Sequence, residues 1–336
     1  MTTQPVSATE SPVHDRDGGA PALRKFEVRT APTAALLTDS APRPSTPLDL
    51  GHKSRGRAVK DVIARIVMWG SFFLAMVPLV WILFTVISKG VSLLLQSSWW
   101  TNSQRNINST DVGGGAIHAI QGTLLQAGVT AFIAVPIGVL TAIYLVEYGR
   151  GAVARAVSFM VDILTGVPSI VAALFVYAVW VTTFGFQRVG FAVCLALVLL
   201  MLPVVVRSTE EMLKLVPNEL REASYALGVP KWVTIVRIVL PTAFSGIVTG
   251  VLLGLARIIG ETAPLLILGP YTKSIATNLF SGPMPTLPTM INQDRTELGI
   301  DAAVERMWAT ALTLILIVLL LNVIGRLVAR LSTVRS

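Results

Sequence analysis

The chain has 336 residues, of which 53% are hydrophobic and 14% charged, with a mean hydropathy of +0.69 and a formal charge of +8. That is too little charge to cover a water-soluble domain of this size, and no basic stripe interleaves with stacking aromatics as a nucleic-acid partner would require. One cysteine, Cys194, sits in an apolar run and has no intrachain thiol to pair with, and His14, His52 and His118 lack the spacing of metal ligands.

Residues 1–58 carry seven prolines between Pro5 and Pro47, mixed with Ser, Thr, Ala and charges of both signs. Such a stretch buries too little apolar surface to offset its ordering entropy, so a disordered cytoplasmic tail is expected, and no apolar stretch of a secretory signal follows the start. A basic cluster (Lys53, Arg55, Arg57, Lys60 and Arg65) abuts the first apolar run. Residues 59–336 read as an all-α membrane domain with about six transmembrane helices. Their predicted spans are 66–88, 119–146, 156–183 (broken at Pro168-Ser169), 189–206, 242–269 and 307–325. The segment 207–241 is predicted to be a structured loop. From Lys53 onwards, fifteen Lys and Arg then fall on the side of both termini, against six on the other side. This bias places both termini in the cytoplasm and the basic helix ends against anionic lipid.

Within the loop, Pro217-Asn218 starts a short helix, with Glu219 and Glu222 where the dipole favours negative charge. Leu220, Ala223 and Leu227 share one face, Gly228 supplies a left-handed terminus, and Pro230 opens a second helix. An amphipathic helix resting on the membrane surface is the plain alternative.

Glu222-Ala223-Ser224, three residues, Gly228, nine residues, then Ile238-Val239-Leu240-Pro241 resembles the EAA loop of ABC importer permeases. Ser224 replaces the family's second alanine and is equally small. The resemblance narrows with Val135-Pro136-Ile137-Gly138, Asp162 to Val171, and Ala256-Arg257-Ile258-Ile259-Gly260-Glu261-Thr262-Ala263-Pro264. These runs are similar to PstA-type permease subunits of bacterial phosphate ABC importers, over the chain from about residue 60 onwards. The resemblance implies a type I importer permease fold in the bacterial plasma membrane, whose coupling helix (Glu222, Ala223, Ser224, Gly228, Ile238, Leu240 and Pro241) docks on a separate ATPase. It also implies as partners a PstC-like permease, a dimeric PstB-like ATPase and an external PstS-like phosphate-binding protein, with inorganic phosphate as cargo. None of the seven lysines follows a glycine, so no phosphate-binding P-loop is present. The resemblance thus implies a transporter subunit and not an enzyme, with no cofactor or metal expected on this chain and ATP and magnesium expected on the partner.

Charges inside apolar runs mark the candidate pathway. Arg257 lies fifteen residues beyond Thr242, roughly 22 Å along that helix, where an arginine costs about 2.5–3.5 kcal/mol or more unless partnered. Glu261 at i+4 is a counter-ion on the same face, and Asp162 a second candidate. The pair either fixes packing or offers a guanidinium fork to a translocating anion, with carboxylates accepting a hydrogen bond from the proton of HPO4²⁻, which sulfate lacks. Arg207 reads as an interfacial anchor at a helix end or an exit contact. Ser169 completes the candidate pathway, and Tyr144, Glu147 and Tyr148 read as interfacial anchors. A permease for another oxyanion (sulfate or molybdate), an ATP-independent channel and a membrane scaffold are the competing readings.

Overall fold

The computed structural model describes residues 55–333. The predicted tail therefore falls outside the described residues apart from its last four, which open a helix. Every regular element among the described residues is helical.

The chain runs through α1 (Arg55–Leu94), α2 (Ser97–Thr101), α3 (Ile117–Ile143), α4 (Gly151–Gly166), α5 (Ser169–Val176), α6 (Gly190–Lys214) and α7 (Asn218–Ala226). It continues through α8 (Lys231–Thr234), α9 (Leu240–Ile259), α10 (Ala263–Leu268), α11 (Leu287–Arg295) and α12 (Asp301–Thr333). Contacts divide the chain at Gly70: residues 55–70 are the first turns of α1, and all later elements belong to the second unit.

Five spans are long and apolar enough to cross a membrane, and α4 with α5 makes a sixth if the bent pair is counted as one. That bend is 109°, far sharper than the break expected at Pro168. Its cause is local: Val167 (ψ 123°) precedes a proline and turns extended, and Pro168 (ψ 140°) has no N–H to continue the ladder.

Other boundaries differ from the sequence expectation. α6 does not stop at Val206 but continues through Arg207 to Lys214. The predicted fifth helix begins at Lys231, not Thr242, because α8 passes through a π turn at Ile235–Val239 directly into α9. The widened turn sits just upstream of Pro241 and accommodates its missing donor. That helix ends at Ile259, not Gly269, and α10 follows after a break at Gly260–Thr262.

α6 is the hub, packed against α3, α4, α5, α9 and α10. Its inward face is apolar from Val193 to Val205, with Val193, Leu197, Met201 and Val205 meeting Ala134 of α3, Ala173 of α5 and Ile258 of α9. α9 approaches α6 along a glycine stripe, the close-packing device of membrane helices. A Cβ on Gly250 would lie 2.2 Å from Ser208 Oγ and 2.5 Å from its Cβ. One on Gly246 would lie 2.1 Å from Met212 Sδ, and one on Gly254 3.4 Å from Met201 Cγ.

Candidate translocation and coupling sites

The coupling segment folds from its punctuation. α7 starts at Asn218 as expected and ends in a Schellman turn: Gly228 N–H donates to Tyr225 O at 2.9 Å and Val229 N–H to Ser224 O at 3.2 Å. Gly228 has φ +74°, the left-handed value that glycine adopts without strain. Pro230 caps α8 from just outside its first turn. Ser224 does more than preserve small size: it is buried, and its hydroxyl lies 2.8 Å from Thr234 Oγ1, tying α7 to α8. Glu222 and Ala223 are exposed, as are Leu220 (42%) and Leu227 (82%), so the apolar face anticipated in the sequence points outward together with Tyr225 and Trp232. Ile238 and Leu240 are half-buried at the root of α9, beside the exposed Pro241.

What holds this segment to the membrane helices was not anticipated. Arg221 reaches back to the end of α6, donating to Leu213 O (2.9 Å), Val216 O (2.7 Å) and Asn218 Oδ1 (3.3 Å). It also pairs at 3.0 Å with Glu147, in the π turn (Tyr144–Tyr148) that ends α3. The Glu147 side chain is only 5% exposed, so it is an internal partner of α7 and not the interfacial anchor expected. Lys231 Nζ completes the joint, lying 4.7 Å from the Tyr148 ring centroid and donating to Glu147 O.

The candidate pathway charges form two separate groups. In the first, Arg207 Nη2 lies 2.5 Å from Asp162 Oδ1 and also donates to Ser158 Oγ (2.9 Å) and Ser158 O (3.0 Å), while Nη1 lies 2.6 Å from Glu210 Oε2. Lys214 then meets Glu210 Oε1 at 2.7 Å. Asp162 thus answers Arg207 across α4 and α6, not Arg257 as proposed from the sequence. Arg207 lies well inside a helix, not at its end. Glu210 was missed, although Arg-x-x-Glu-x-x-x-Lys is the i, i+3 and i+4 spacing at which helical ion pairs form.

In the second group Arg257 occupies the last turn of α9, and the helix break intervenes before Glu261. The two still approach to 3.7 Å, because Gly260 and Glu261 bond back three residues and tighten the turn. The carboxyl-terminal end of the helix dipole lowers the cost of the cation there. Arg257 is 51% exposed and Glu261 17%. Ser169 is half-buried at the first turn of α5, just after the bend, and joins neither group.

A third polar cluster lies at the opposite end from the coupling segment. Arg306 is buried and donates to Asp111 O (2.6 Å) and Ser109 O (2.8 Å). Tyr271 donates to Gln104 Oε1 (3.2 Å) and lies 3.3 Å from His118 Nε2. Burial pushes the Asp294 carboxyl up to about 6, despite the opposing pull of Arg306.

The model of the binding-protein-dependent transport system inner membrane component family matches residues 134–333. The phosphate transport system permease protein PstA 1 of Mycobacterium tuberculosis is 50% identical over 301 residues, covering 90% of this chain and 97% of that protein. The permease protein PstA of Mycobacterium leprae is 51% identical over 297 residues, covering 88% and 97%. The chain belongs to this permease family, in its PstA branch. Among solved structures, the inward-facing MetNI methionine ABC transporter has the same fold, with a TM-score of 0.52 at 22% identity over 64% of this chain and 95% of that one. The protein is thus a multi-pass membrane permease subunit of the type I importer fold, a class that works with an ATPase and a binding protein.

Proposed function

We propose that this permease passes inorganic phosphate inward across the bacterial plasma membrane, forming half of the pathway with a PstC-like permease. A PstB-like ATPase dimer binds ATP and magnesium and hydrolyses the ATP, while a PstS-like protein delivers phosphate from outside. Both termini face the cytoplasm, in keeping with the basic residues on that side. The named PstA relatives support phosphate as the cargo, and the exposed apolar face of α7 supports docking on the ATPase.

The observation that carries the pathway reading is the contrast between the two arginines. Arg207 has acceptors on both terminal nitrogens at 3.0 Å or less, so an anion meets a guanidinium already occupied. Arg257 is half exposed and holds Glu261 only at 3.7 Å, leaving most of its donor fork open to an oxyanion. Glu261, set back beside it, accepts a hydrogen bond from protonated phosphate and repels a dianion without a proton. Asp162 serves the inner group, where separating it from Arg207 during transport would expose a second cation to the departing anion.

The test is labelled phosphate uptake, with sulfate as control, into liposomes carrying the assembled complex with wild-type chain, Arg257→Ala or Glu261→Gln. ATP-dependent phosphate uptake that collapses in Arg257→Ala while the ATPase still binds is the expected result. Uptake that survives reduces Arg257 to a packing ion. An unchanged phosphate-to-sulfate preference in Glu261→Gln removes that residue from selectivity, and sulfate uptake by the wild type in place of phosphate overturns the cargo.

A further inference from the structure

The face of α12 that meets α9 carries two adjoining grooves with opposite chemistry. One, of about 630 Å³, is a mainly apolar trough lined by Ile315, Val318, Leu319 and Val323, with Asn322 along it and Gly260 at its edge. The other, of about 480 Å³, is lined by Ser245, Gly246, Thr249, Arg326 and Arg330. Arg326 borders both, so the trough opens directly onto a basic, hydroxyl-bearing pocket.

We propose that this is a binding site for one anionic glycerophospholipid of the leaflet on the coupling-helix side, with an acyl chain in the trough and the phosphate in the pocket. Three observations support that occupant. The first is charge: α9 has no acidic residue, the acids of α12 (Asp301 and Glu305) are at its far end, and among the described residues no carboxylate pairs with Arg326 or Arg330. Two guanidinium groups one helical turn apart, both exposed, thus converge on a pocket whose lining includes no carboxylate. The second is length. From Ile315 to Arg326 the helix rises roughly 16 Å, about half the 30 Å hydrocarbon thickness and therefore the depth of one leaflet. The third is position: Ser245 and Gly246 lie in the second turn of α9, at the end adjoining the coupling segment, where headgroups of that leaflet lie. A lone phosphate ion would satisfy the pocket and leave the trough unexplained.

The assembled transporter is placed in nanodiscs of mixed phosphatidylglycerol and phosphatidylcholine, and retained lipid is read by native mass spectrometry after release into detergent. Wild type is expected to retain phosphatidylglycerol over phosphatidylcholine. The Arg326→Gln/Arg330→Gln double variant is expected to retain about twenty-five-fold less, from roughly a fivefold contribution per arginine at a membrane surface. Both arginines are exposed and neither pairs with a carboxylate among the described residues, so their loss should leave the fold intact. Val323→Trp, which fills the trough with both charges in place, should lower retention as well. Arg155→Gln, an exposed arginine of α4 elsewhere on the surface, should not. Undiminished retention in the double variant, equal loss in Arg155→Gln, or equal retention of both lipids overturns the site. In lipid-free micelles, inorganic phosphate that raises the melting temperature of wild type but not of the double variant assigns the pocket to the free ion and overturns the lipid.

Discussion

Replacing Glu147 with alanine removes the carboxylate that holds Arg221 at the junction of α7 and α3. Both side chains are close to buried, 5% and 12% exposed, so solvent does little to screen the charge left behind. Breaking a buried pair by removing one partner costs about 3–5 kcal/mol. Here Arg221 keeps Leu213 O, Val216 O and Asn218 Oδ1 as acceptors, which places the loss at the lower end, about 3 kcal/mol. For a chain of this size that is a fall of roughly 6 °C in melting temperature, read by fluorescence on the purified complex. Glu147→Gln retains an oxygen acceptor and should lose about half as much. A second readout separates attachment from bulk stability: phosphate imported per ATP hydrolysed should fall in both variants at temperatures where the complex remains folded. A shift below about 1 °C for Glu147→Ala, or effects of Glu147→Ala and Arg221→Met that simply add, would refute the reasoning, since partners in one network are not additive.

Glu210→Gln should destabilise the complex more than Asp162→Asn, because Glu210 is 11% exposed and serves both Arg207 and Lys214, whereas Asp162 is 63% exposed and screened; melting curves in the reverse order would overturn that ranking. Gly228→Ala places a Cβ at φ +74° with no steric neighbour, so its effect is backbone strain alone, about 1 kcal/mol, measured as roughly fivefold weaker binding of the ATPase subunit. Asp294 gives a pH dependence: with a folded pKa of about 6 against an unfolded value near 4, the folded state holds its proton longer. The contribution of Asp294 to stability should therefore be greatest below pH 4, fall by about 3 kcal/mol as pH rises to 6, and be flat beyond. Melting temperature against pH checks this, and Asp294→Asn should remove the slope over that window.

The coupling turn was legible because its determinants are local. Pro217, Gly228 and Pro230 act through their own backbone torsions, and the structure places them where those torsions demand. The helix ends around it were not legible, because hydropathy reports where the membrane is and not where a helix stops. Arg207, Glu210, Glu211 and Lys214 end the apolar run, yet they continue α6, where i, i+3 and i+4 pairing keeps them helical. The same confusion started the fifth helix at Thr242, since Pro241 reads as a beginning when the π turn before it is unseen. Partners distant in sequence were harder still. Nothing in the run around Asp162 selects Arg207 over Arg257, and the choice is made by which face of α6 packs on α4. Glu147 looked like a headgroup contact because it lies at the end of an apolar run, and only the fold of α7 brings Arg221 to it.

The glycine stripe on α9 carries a consequence for how this chain tolerates drift. At Gly254 an added methyl would meet Met201 at 3.4 Å, ordinary contact with a side chain that moves. At Gly250 it would overlap Ser208 down to the Cβ, which cannot move without its helix. A saturation library should therefore show small residues accepted at 254 and glycine alone at 250, a gradient running along one helix face. Because Ser208 follows Arg207, any change at 250 also disturbs the group in which Arg207 meets Asp162, Ser158 and Glu210. α6 and α9 are thus bound to vary together, as one heritable unit.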